Sequence, residues 1–307
     1  MNRTAKLLSI SFTFLAASLT APAYAMQQTY VSAQGSNNNA CNVNAPCRTF
    51  AYALTKTASG GSIIVLDSAN YGAVNINKAV NIVNDGHATA TISVPSNGVG
   101  VTVNLATTNA AVTLRGLTIE GDGSAARGIA FIGTGTLNVL NCVVRGVKQR
   151  GISITASTGG YVLIADTTVT NNTNFGVFAT GDGSGSLTLS LSHDKLTNNG
   201  SGFHFSGGTA AYGFATIDSS LIAENATGLA LAESGSNEIT AFVTGSNILN
   251  NTNSINVGSG TILKLERTSI ESAFSGGVVN SGQIISFGDN AIVDSVTGNA
   301  ITAMARR

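Results

Sequence analysis

The sequence predicts an all-β solenoid, a parallel β-helix of about ten coils, and three observations support this prediction. First, one phrase returns along the chain, as in VTNNTNFGVFA from Val169 and LTNNGSGFHFS from Leu196. Second, each copy follows a segment in which aliphatic residues alternate with other residues. Third, the composition, with 36 Gly, 3 Pro and no Trp, favours strands and turns over helices.

The aliphatic residue before each turn sets the period of the repeat. Its positions are separated by 25, 25, 27, 26, 26 and 22 residues, at Ile119, Val144, Val169, Leu196, Ile222, Ile248 and Ile270. Seven and five residues before each stand two inward aliphatic residues, which predicts one strand per coil. A second strand is expected after Gly128, Gly151, Gly176, Gly202 and Gly228. A leucine-rich repeat has a similar period and normally a helical side, but these coils lack its leucine consensus and are β-branched, with Gly, Ser and Asn corners.

Asparagines recur at one corner of successive coils, at Asn172, Asn199, Asn225 and Asn251. Asn tolerates the left-handed backbone of a tight corner, and its amide can bond to the amides above and below. We therefore expect a structural asparagine ladder and interpret the repeated phrase as mainly architectural.

The N-terminal residues predict export. Arg3 and Lys6 precede an apolar run over residues 7–19 and a small-residue site that ends at Ala25, which is typical of a cleaved signal peptide over residues 1–25. Its removal leaves 13 basic and 15 acidic residues, which indicates no nucleic-acid partner, and no later segment is apolar enough for membrane insertion. The expected destination is the periplasm or the extracellular space.

A cap is expected over residues 26–61, β-helix coils over residues 62–290 and a C-terminal cap or tail over residues 291–307. A short helix is predicted in the N-terminal cap, with Pro46 at its first position. Its apolar side consists of Phe50, Ala53, Leu54 and Ala58.

In an exported chain Cys41 and Cys47 are expected to form a disulfide, with metal binding as the alternative. Cys142 has no sequence partner and is interpreted as a buried small hydrophobe rather than a reactive thiol.

Three N-terminal segments, TYVSAQGSNNNACNVNAPCRTFAYAL, GGSIIVLDSANYG and VNINKAVNIV, carry a family resemblance. They resemble the opening of right-handed parallel β-helix proteins of the pectate-lyase-like superfamily, although Ser62 stands where Asp is usual and Ala69 and Asn70 replace Pro-Gly before Tyr71. The resemblance implies a right-handed β-helix. That superfamily contains lyases, hydrolases, esterases, epimerases and tailspikes, so the fold alone does not settle the function. The hydrolase and lyase signatures of the superfamily are absent from the sequence.

One acidic cluster is a candidate for calcium binding or catalysis. The repeat alignment places Asp166 and His193 in one column, with Asp194 next to His193 and Asp218 on the following coil. Carboxylates in this arrangement suit Ca²⁺ bound to an acidic sugar, with Lys195 as the base. The alternative is that these are solvated corner residues.

A second group of residues is a candidate for glycan binding. Arg127 and Arg150 share one column, Glu120 and Arg145 share another, and together the arginines are a candidate rail for an acidic glycan. Phe178 and His204 are expected on the outer face of neighbouring coils, where aromatic rings can stack on sugars. The alternatives are an exposed Glu120–Arg145 ion pair with solubilising arginines, and a loop from Thr180 that packs over Phe178.

These observations favour a non-catalytic exported module that binds a polysaccharide or cell-surface glycan or has a structural role, with no required cofactor. The alternative is a calcium-dependent polysaccharide lyase that acts at the acidic cluster. The three histidines, His87, His193 and His204, lack the spacing of a structural zinc site.

Overall fold

The computed structural model describes residues 26–181, 185–207, 212–232, 238–272 and 276–305. The predicted signal peptide, residues 1–25, lies outside the described residues. Within them the chain forms parallel strands that stack coil upon coil, with one short helix near the N-terminus, so the predicted all-β solenoid is confirmed.

The strands and the helix follow one another along the chain as β1 (Met26–Val31), α1 (Phe50–Lys56), β2 (Thr57–Val65), β3 (Ala69–Asn70), β4 (Val74–Ile76), β5 (Val80–Val83), β6 (Ala90–Ser93), β7 (Val99–Leu105), β8 (Ala111–Arg115), β9 (Leu117–Glu120), β10 (Arg127–Leu140), β11 (Val143–Arg145), β12 (Arg150–Ala165), β13 (Thr168–Thr170), β14 (Phe175–Gly181), β15 (Leu187–Ser192), β16 (Lys195–Thr197), β17 (Ser201–Ser206), β18 (Gly213–Asp218), β19 (Leu221–Ala223), β20 (Thr227–Ala232), β21 (Ile239–Thr244), β22 (Asn247–Leu249), β23 (Asn253–Val257), β24 (Thr261–Glu266), β25 (Ser269–Glu271), β26 (Gly276–Asn280), β27 (Gln283–Ser286), β28 (Ala291–Ile292), β29 (Val296–Gly298) and β30 (Thr302–Ala303).

Each coil contributes three stretches of strand. The smaller sheet stacks ten short strands, from β3 to β28. The larger sheet has twenty strands and contains the other two stacks, which share the long strands β10 and β12. Strands β10 and β12 run through both stacks. The N-terminal half of each begins at the column glycine, and the C-terminal half contains the two inward aliphatic residues.

The core is a column of aliphatic side chains that lie in register. Leu114, Val139, Ile164 and Leu191 are paired on consecutive coils and are fully buried. On the smaller sheet, the residues before the turn pair in the same way, as Val144 does with Val169. Burial of such side chains contributes about 1.5–3 kcal/mol each relative to exposure. The predicted inward pattern is therefore what holds the coils together.

The asparagine corner contains a continuous hydrogen-bonded ladder. The side-chain amide of each ladder residue donates to the Oδ1 of the next, at 2.9 Å, 3.2 Å and 3.0 Å along Asn172, Asn199, Asn225 and Asn251. The expectation of a left-handed backbone at these four residues is wrong. The positive φ belongs instead to the residue before each, at Asn171, Asn198, Glu224 and Asn250, because the chain turns before the amide enters the corner.

The glycine that opens the second strand packs against this ladder. A Cβ atom on Gly176 would lie 2.9 Å from Nδ2 of Asn199, and one on Gly228 would lie 2.8 Å from Nδ2 of Asn251. These contacts are closer than side-chain atoms tolerate, so the glycine column makes room for the asparagine column.

The N-terminal cap contains the predicted helix and disulfide. Cys41 and Cys47 are bonded, with their Cα atoms 4.7 Å apart, so the disulfide is confirmed. The helix does not begin at Pro46. It begins at Phe50, because the side chain of Thr49 accepts a hydrogen bond from the Tyr52 amide and caps the helix there. Phe50, Ala53 and Leu54 are buried as expected, whereas Ala58 lies in β2.

Candidate ligand-binding site

Arg127 and Arg150 lie side by side at the start of β10 and β12. Each directly precedes a column glycine, and the two residues are paired in register on adjacent coils. The same column continues with Phe175 and Ser201. Because a parallel ladder repeats every ~4.8 Å, the fold brings two positive side chains together at one point on its surface.

Among the described residues, these two guanidinium groups have no carboxylate partner. Within the described part of the chain, no salt bridge involves Arg127 or Arg150. The Nε of Arg127 is buried and has no hydrogen-bond partner. Burial lowers the pKa of Arg150, and the neighbouring charge of Arg127 lowers it further. The pair is therefore a site of uncompensated positive charge.

An aromatic stack adjoins the arginine pair. Phe178 and His204 project from the outer face of β14 and β17, in register, and their rings stack with centroids 5.3 Å apart and planes 9° apart. The Arg150 guanidinium lies 3.8 Å from the centroid of the Phe178 ring. It reaches this position over Ser153, whose hydroxyl accepts a 3.3 Å hydrogen bond from Nη1. Arg150, Phe178 and His204 therefore form one continuous stack along the solenoid axis.

Phe175 completes the aromatic group. Its ring centroid lies 5.1 Å from that of Phe178 and 5.0 Å from that of His204. The sequence reasoning missed Phe175 because it stands at the start of a strand, where the alternation of inward and outward residues begins. Its place directly before Gly176, equivalent to that of Arg150 before Gly151, is the signal that identifies it.

His204 is held in its neutral form. Burial lowers the pKa of its imidazole, and the positive charge of Arg150 lowers it further. At neutral pH the ring is therefore an uncharged aromatic surface rather than a third cation.

A groove of about 450 Å³ opens beside the aromatic group. Phe175 and His204 border it, and Ser201, Thr227 and Ala230 also line it. The alternative expectation is a loop from Thr180 that packs over Phe178. Residues 182–184 of that loop lie outside the described residues.

Arg145 does not belong to this site. It lies on the smaller sheet, where its Nη2 is 2.7 Å from Oε2 of Glu120 on the adjacent coil, and both side chains are exposed. The fold thus brings together four of the five candidate ligand-binding residues, namely Arg127, Arg150, Phe178 and His204. Arg145 is held in its own ion pair on another face.

The acidic cluster is not assembled as the sequence suggested. Asp166 and His193 do share a corner column, where both have positive φ. Asp194, however, is buried in the corner and accepts hydrogen bonds from the Thr167 and Ser192 amides through its two oxygens. Burial raises its pKa to about 7. It therefore acts as a partner for backbone amides and presents no free carboxylate at the surface.

The other members of that cluster also have local roles. Asp218 accepts a hydrogen bond from the neighbouring Ser219 hydroxyl, and Nδ1 of His193 lies 2.9 Å from the Ser192 hydroxyl. Lys195 is exposed on β16. Across the described ranges, no group of three or more His, Cys, Asp and Glu side chains is close enough to hold a metal ion.

Cys142 is buried in the core, as the sequence suggested. Burial raises the pKa of its thiol to about 11. The thiol therefore stays protonated at neutral pH and is neither a nucleophile nor a ready metal ligand.

Comparison with known proteins places the chain among parallel β-helix proteins. A family model described as periplasmic copper-binding protein (NosD) matches residues 55–283. Among solved structures, pectate lyase Pel9A is similar, with a TM-score of 0.62 and 15% identity over 91% of this chain and 78% of that chain. Geobacillus virus E2 ORF18 is also similar, with a TM-score of 0.53 and 14% identity over 76% of this chain and 55% of that chain. At these identities the likeness shows the fold alone. No curated protein matches the sequence.

The donor atoms of the described residues do not fit a copper site. Copper in proteins is held by thiolate, thioether and imidazole ligands. Cys142 is a buried, protonated thiol, and the imidazole of His204 is packed against two phenylalanine rings. The copper in the family description therefore has no matching set of ligands in this part of the chain.

No described helix is long and apolar enough to cross a membrane.

Proposed function

Because the chain belongs to the NosD family of periplasmic proteins, and because its arginine and aromatic side chains converge on one face, we propose that it is a non-catalytic periplasmic module that binds an acidic glycan. The residues that bind it are Arg127, Arg150, Phe178 and His204, with Phe175. The observation that carries the proposal is the pair of guanidinium groups on adjacent coils with no carboxylate partner among the described residues.

The arginine pair favours an anion. Two like charges on adjacent coils repel each other, and burial of Arg150 and of Nε of Arg127 adds a desolvation cost. A carboxylate on a ligand offsets both, because guanidinium groups bind carboxylates through paired hydrogen bonds. A uronate unit of a polysaccharide supplies such a group.

The aromatic stack favours a sugar as the carrier of that anion. The CH face of a pyranose ring packs on an aromatic ring, and the stack presents ring edges and faces next to the arginines. A small inorganic anion would use the arginines and leave the rings without a function.

The proposal excludes catalysis at the acidic cluster because of how Asp194 is bound. Its oxygens accept backbone amides inside the corner, so it is not available to a substrate. The similarity to pectate lyase Pel9A rests on the fold, and carries no active-site residue to this chain.

Export by a cleaved signal peptide over residues 1–25 belongs to the same proposal. The protein isolated from the periplasm should begin at Met26, and a protein that still carries residues 1–25 there would contradict cleavage at this site.

The glycan proposal is tested by electrophoresis in native gels that contain polygalacturonate, alginate or neutral dextran. We expect retardation in the two acidic gels and none in dextran. Arg150→Gln should weaken retention about tenfold to a hundredfold, since a hydrogen bond to a charged group contributes ~1.5–3 kcal/mol. Arg145→Gln is the matched control, because it removes the same charge from an ion pair on another face, and it should leave retention unchanged.

A second assay with the same polysaccharide addresses the lyase alternative. Incubation with polygalacturonate, with and without calcium, should give no unsaturated product by ultraviolet absorbance. Product formation, or equal loss of retention in Arg145→Gln and Arg150→Gln, would overturn the proposal.

A further inference from the structure

The groove next to the arginine and aromatic residues marks an abrupt change in side-chain size. In the outward column of the second strand, Phe178 and His204 are followed on the next two coils by Ala230 and Asn256. In the column before the glycines, Phe175 is followed by Ser201 and Thr227. The column before the glycines changes from a ring to small side chains after β14, and the outward column does so one coil later, after β17. The rings therefore form an end wall, and the small residues form the floor of the groove.

The wall presents one free ring face to the groove. One face of the His204 imidazole is covered by Phe178, which lies in register on the preceding coil. The other face points along the axis toward the following coil, where the register partner of His204 is Ala230. Ala230 lines the groove and is only 6% exposed, so its small side chain forms part of the floor beside the imidazole. His204 and Asn256 are two coils apart, about 9.6 Å at the usual strand spacing, which is wide enough for one ring between them.

The polar groups of the groove are uncharged. The side chains of Asn174, Ser201, Thr227 and Asn256 supply hydroxyl and amide groups, and among the described residues none that lines the groove is charged. Because the pKa of His204 is lowered, its imidazole is neutral as well. A carboxylate placed in the groove would therefore lose its hydration without gaining a countercharge, whereas sugar hydroxyls find both donors and acceptors.

We propose that this groove is a subsite for an uncharged pyranose ring, which stacks on His204 above Ala230 and bonds to Thr227 and Asn256. This inference rests on the proposed function and makes it more specific. The arginine pair holds the acidic unit and the groove holds a neutral unit of the same chain, so the ligand is a mixed acidic and neutral glycan.

The length of the ligand follows from the register. The residues of the two proposed subsites lie on six consecutive coils, in the order Arg127, Arg150, Phe178, His204, Ala230 and Asn256. Five strand spacings of ~4.8 Å give a site about 24 Å long, parallel to the solenoid axis. An oligosaccharide of several units is needed to reach from the arginine pair to the groove.

The test compares two galacturonate oligomers of equal length, one fully acidic and one partly methyl-esterified, by isothermal titration calorimetry on the mature chain. We expect the esterified oligomer to bind about threefold to tenfold more tightly, which corresponds to the contribution of one ring stack. Ala230→Phe should abolish this preference, because its ring would continue the stack of Phe178 and His204 and fill the subsite. Thr227→Val, a smaller change, should reduce the preference.

The imidazole resonances report contact directly. His87, His193 and His204 are the histidines of the chain, and the first two serve as internal references in the same spectrum. The esterified oligomer should shift the His204 ring signals and leave those of His87 and His193 in place.

The outcomes separate the two proposals. If both oligomers bind equally through Arg150 and the His204 signals do not move, the subsite is wrong while the acidic-glycan module stands. If neither oligomer binds, both proposals fall. If Ala230→Phe retains the native circular dichroism spectrum and the full preference for the esterified oligomer, the groove is not the subsite.

Discussion

The asparagine corner and the arginine face belong to the same solenoid, yet they treat polar groups in opposite ways. In the corner, Asn199 accepts from the backbone and side-chain amides of Asn172 and donates to Asn225 and to the Val169 carbonyl. On the face, Arg127 and Arg150 stand next to each other with no carboxylate partner in the described ranges. The difference indicates that the ladder asparagines are satisfied by their own copies on four consecutive coils, whereas the arginine pair has no such internal partner among the described residues and is proposed to bind a partner outside the chain.

The largest effect is expected in the corner. Asn199→Leu leaves buried amide and carbonyl groups of neighbouring coils without partners, at about 1–3 kcal/mol for each group. We expect the free energy of unfolding to fall by about 3 kcal/mol or more, measured by denaturant titration. Asn104→Leu, at an exposed strand position, is the control and should change stability by less than about 0.5 kcal/mol. Equal effects of the two substitutions would show that the ladder contributes nothing.

A smaller, pH-dependent effect is expected at Asp194. Because burial raises its pKa to about 7 in the folded protein, the native state holds a proton that the unfolded chain releases near pH 4. Stability from this group is fully present below the unfolded pKa and is lost as the pH rises toward 7, where the carboxylate must ionise inside the corner.

Asp194→Asn should remove that loss. Asn290 occupies the same corner column and accepts the Thr268 amide as Asp194 accepts the Thr167 amide, so asparagine fits the position. The free energy of unfolding of the variant, relative to that of the wild type, should therefore rise as the pH increases from 4 to 7. A difference that stays constant over this range would show that Asp194 keeps an ordinary pKa.

The smallest effect on stability is expected on the arginine face. Arg127→Met keeps an unbranched apolar stem as far as the position of Nε, and removes the guanidinium group and its repulsion with Arg150. We expect the unfolding free energy to stay the same or rise by up to about 0.5 kcal/mol. A loss of more than ~1 kcal/mol in thermal or denaturant unfolding would mean that Arg127 has a structural role and would weaken its assignment to ligand binding.

The sequence was sufficient for the core because the inward residues obey a strict period. The pairing of Leu114, Val139, Ile164 and Leu191 follows from their constant distance before the turn. Local backbone detail did not follow from the period. The left-handed residue lies one position before each ladder asparagine, and the helix begins at Phe50 because a threonine cap, rather than Pro46, fixes its start.

The candidate site was predictable where it depended on columns and not where it depended on side-chain direction. Arg127, Arg150, Phe178 and His204 were found because equal distances from a glycine place residues in one column. The alignment also placed Asp166 and His193 in one corner column, but it does not show that Asp194 turns inward to bond to the backbone. That direction depends on which amides lack partners in the corner, and these become known only with the coil geometry.

The central claim is that the two arginines bind the acidic part of a glycan. The direct test follows the arginine Nε–H resonances of the ¹⁵N-labelled protein while a galacturonate oligomer is added. We expect the signals of Arg127, whose Nε is buried without a partner, and of Arg150 to move, while that of Arg145 in its ion pair stays in place. Movement of the Arg145 signal alone, or no movement of any arginine signal at saturating oligomer, would contradict the claim.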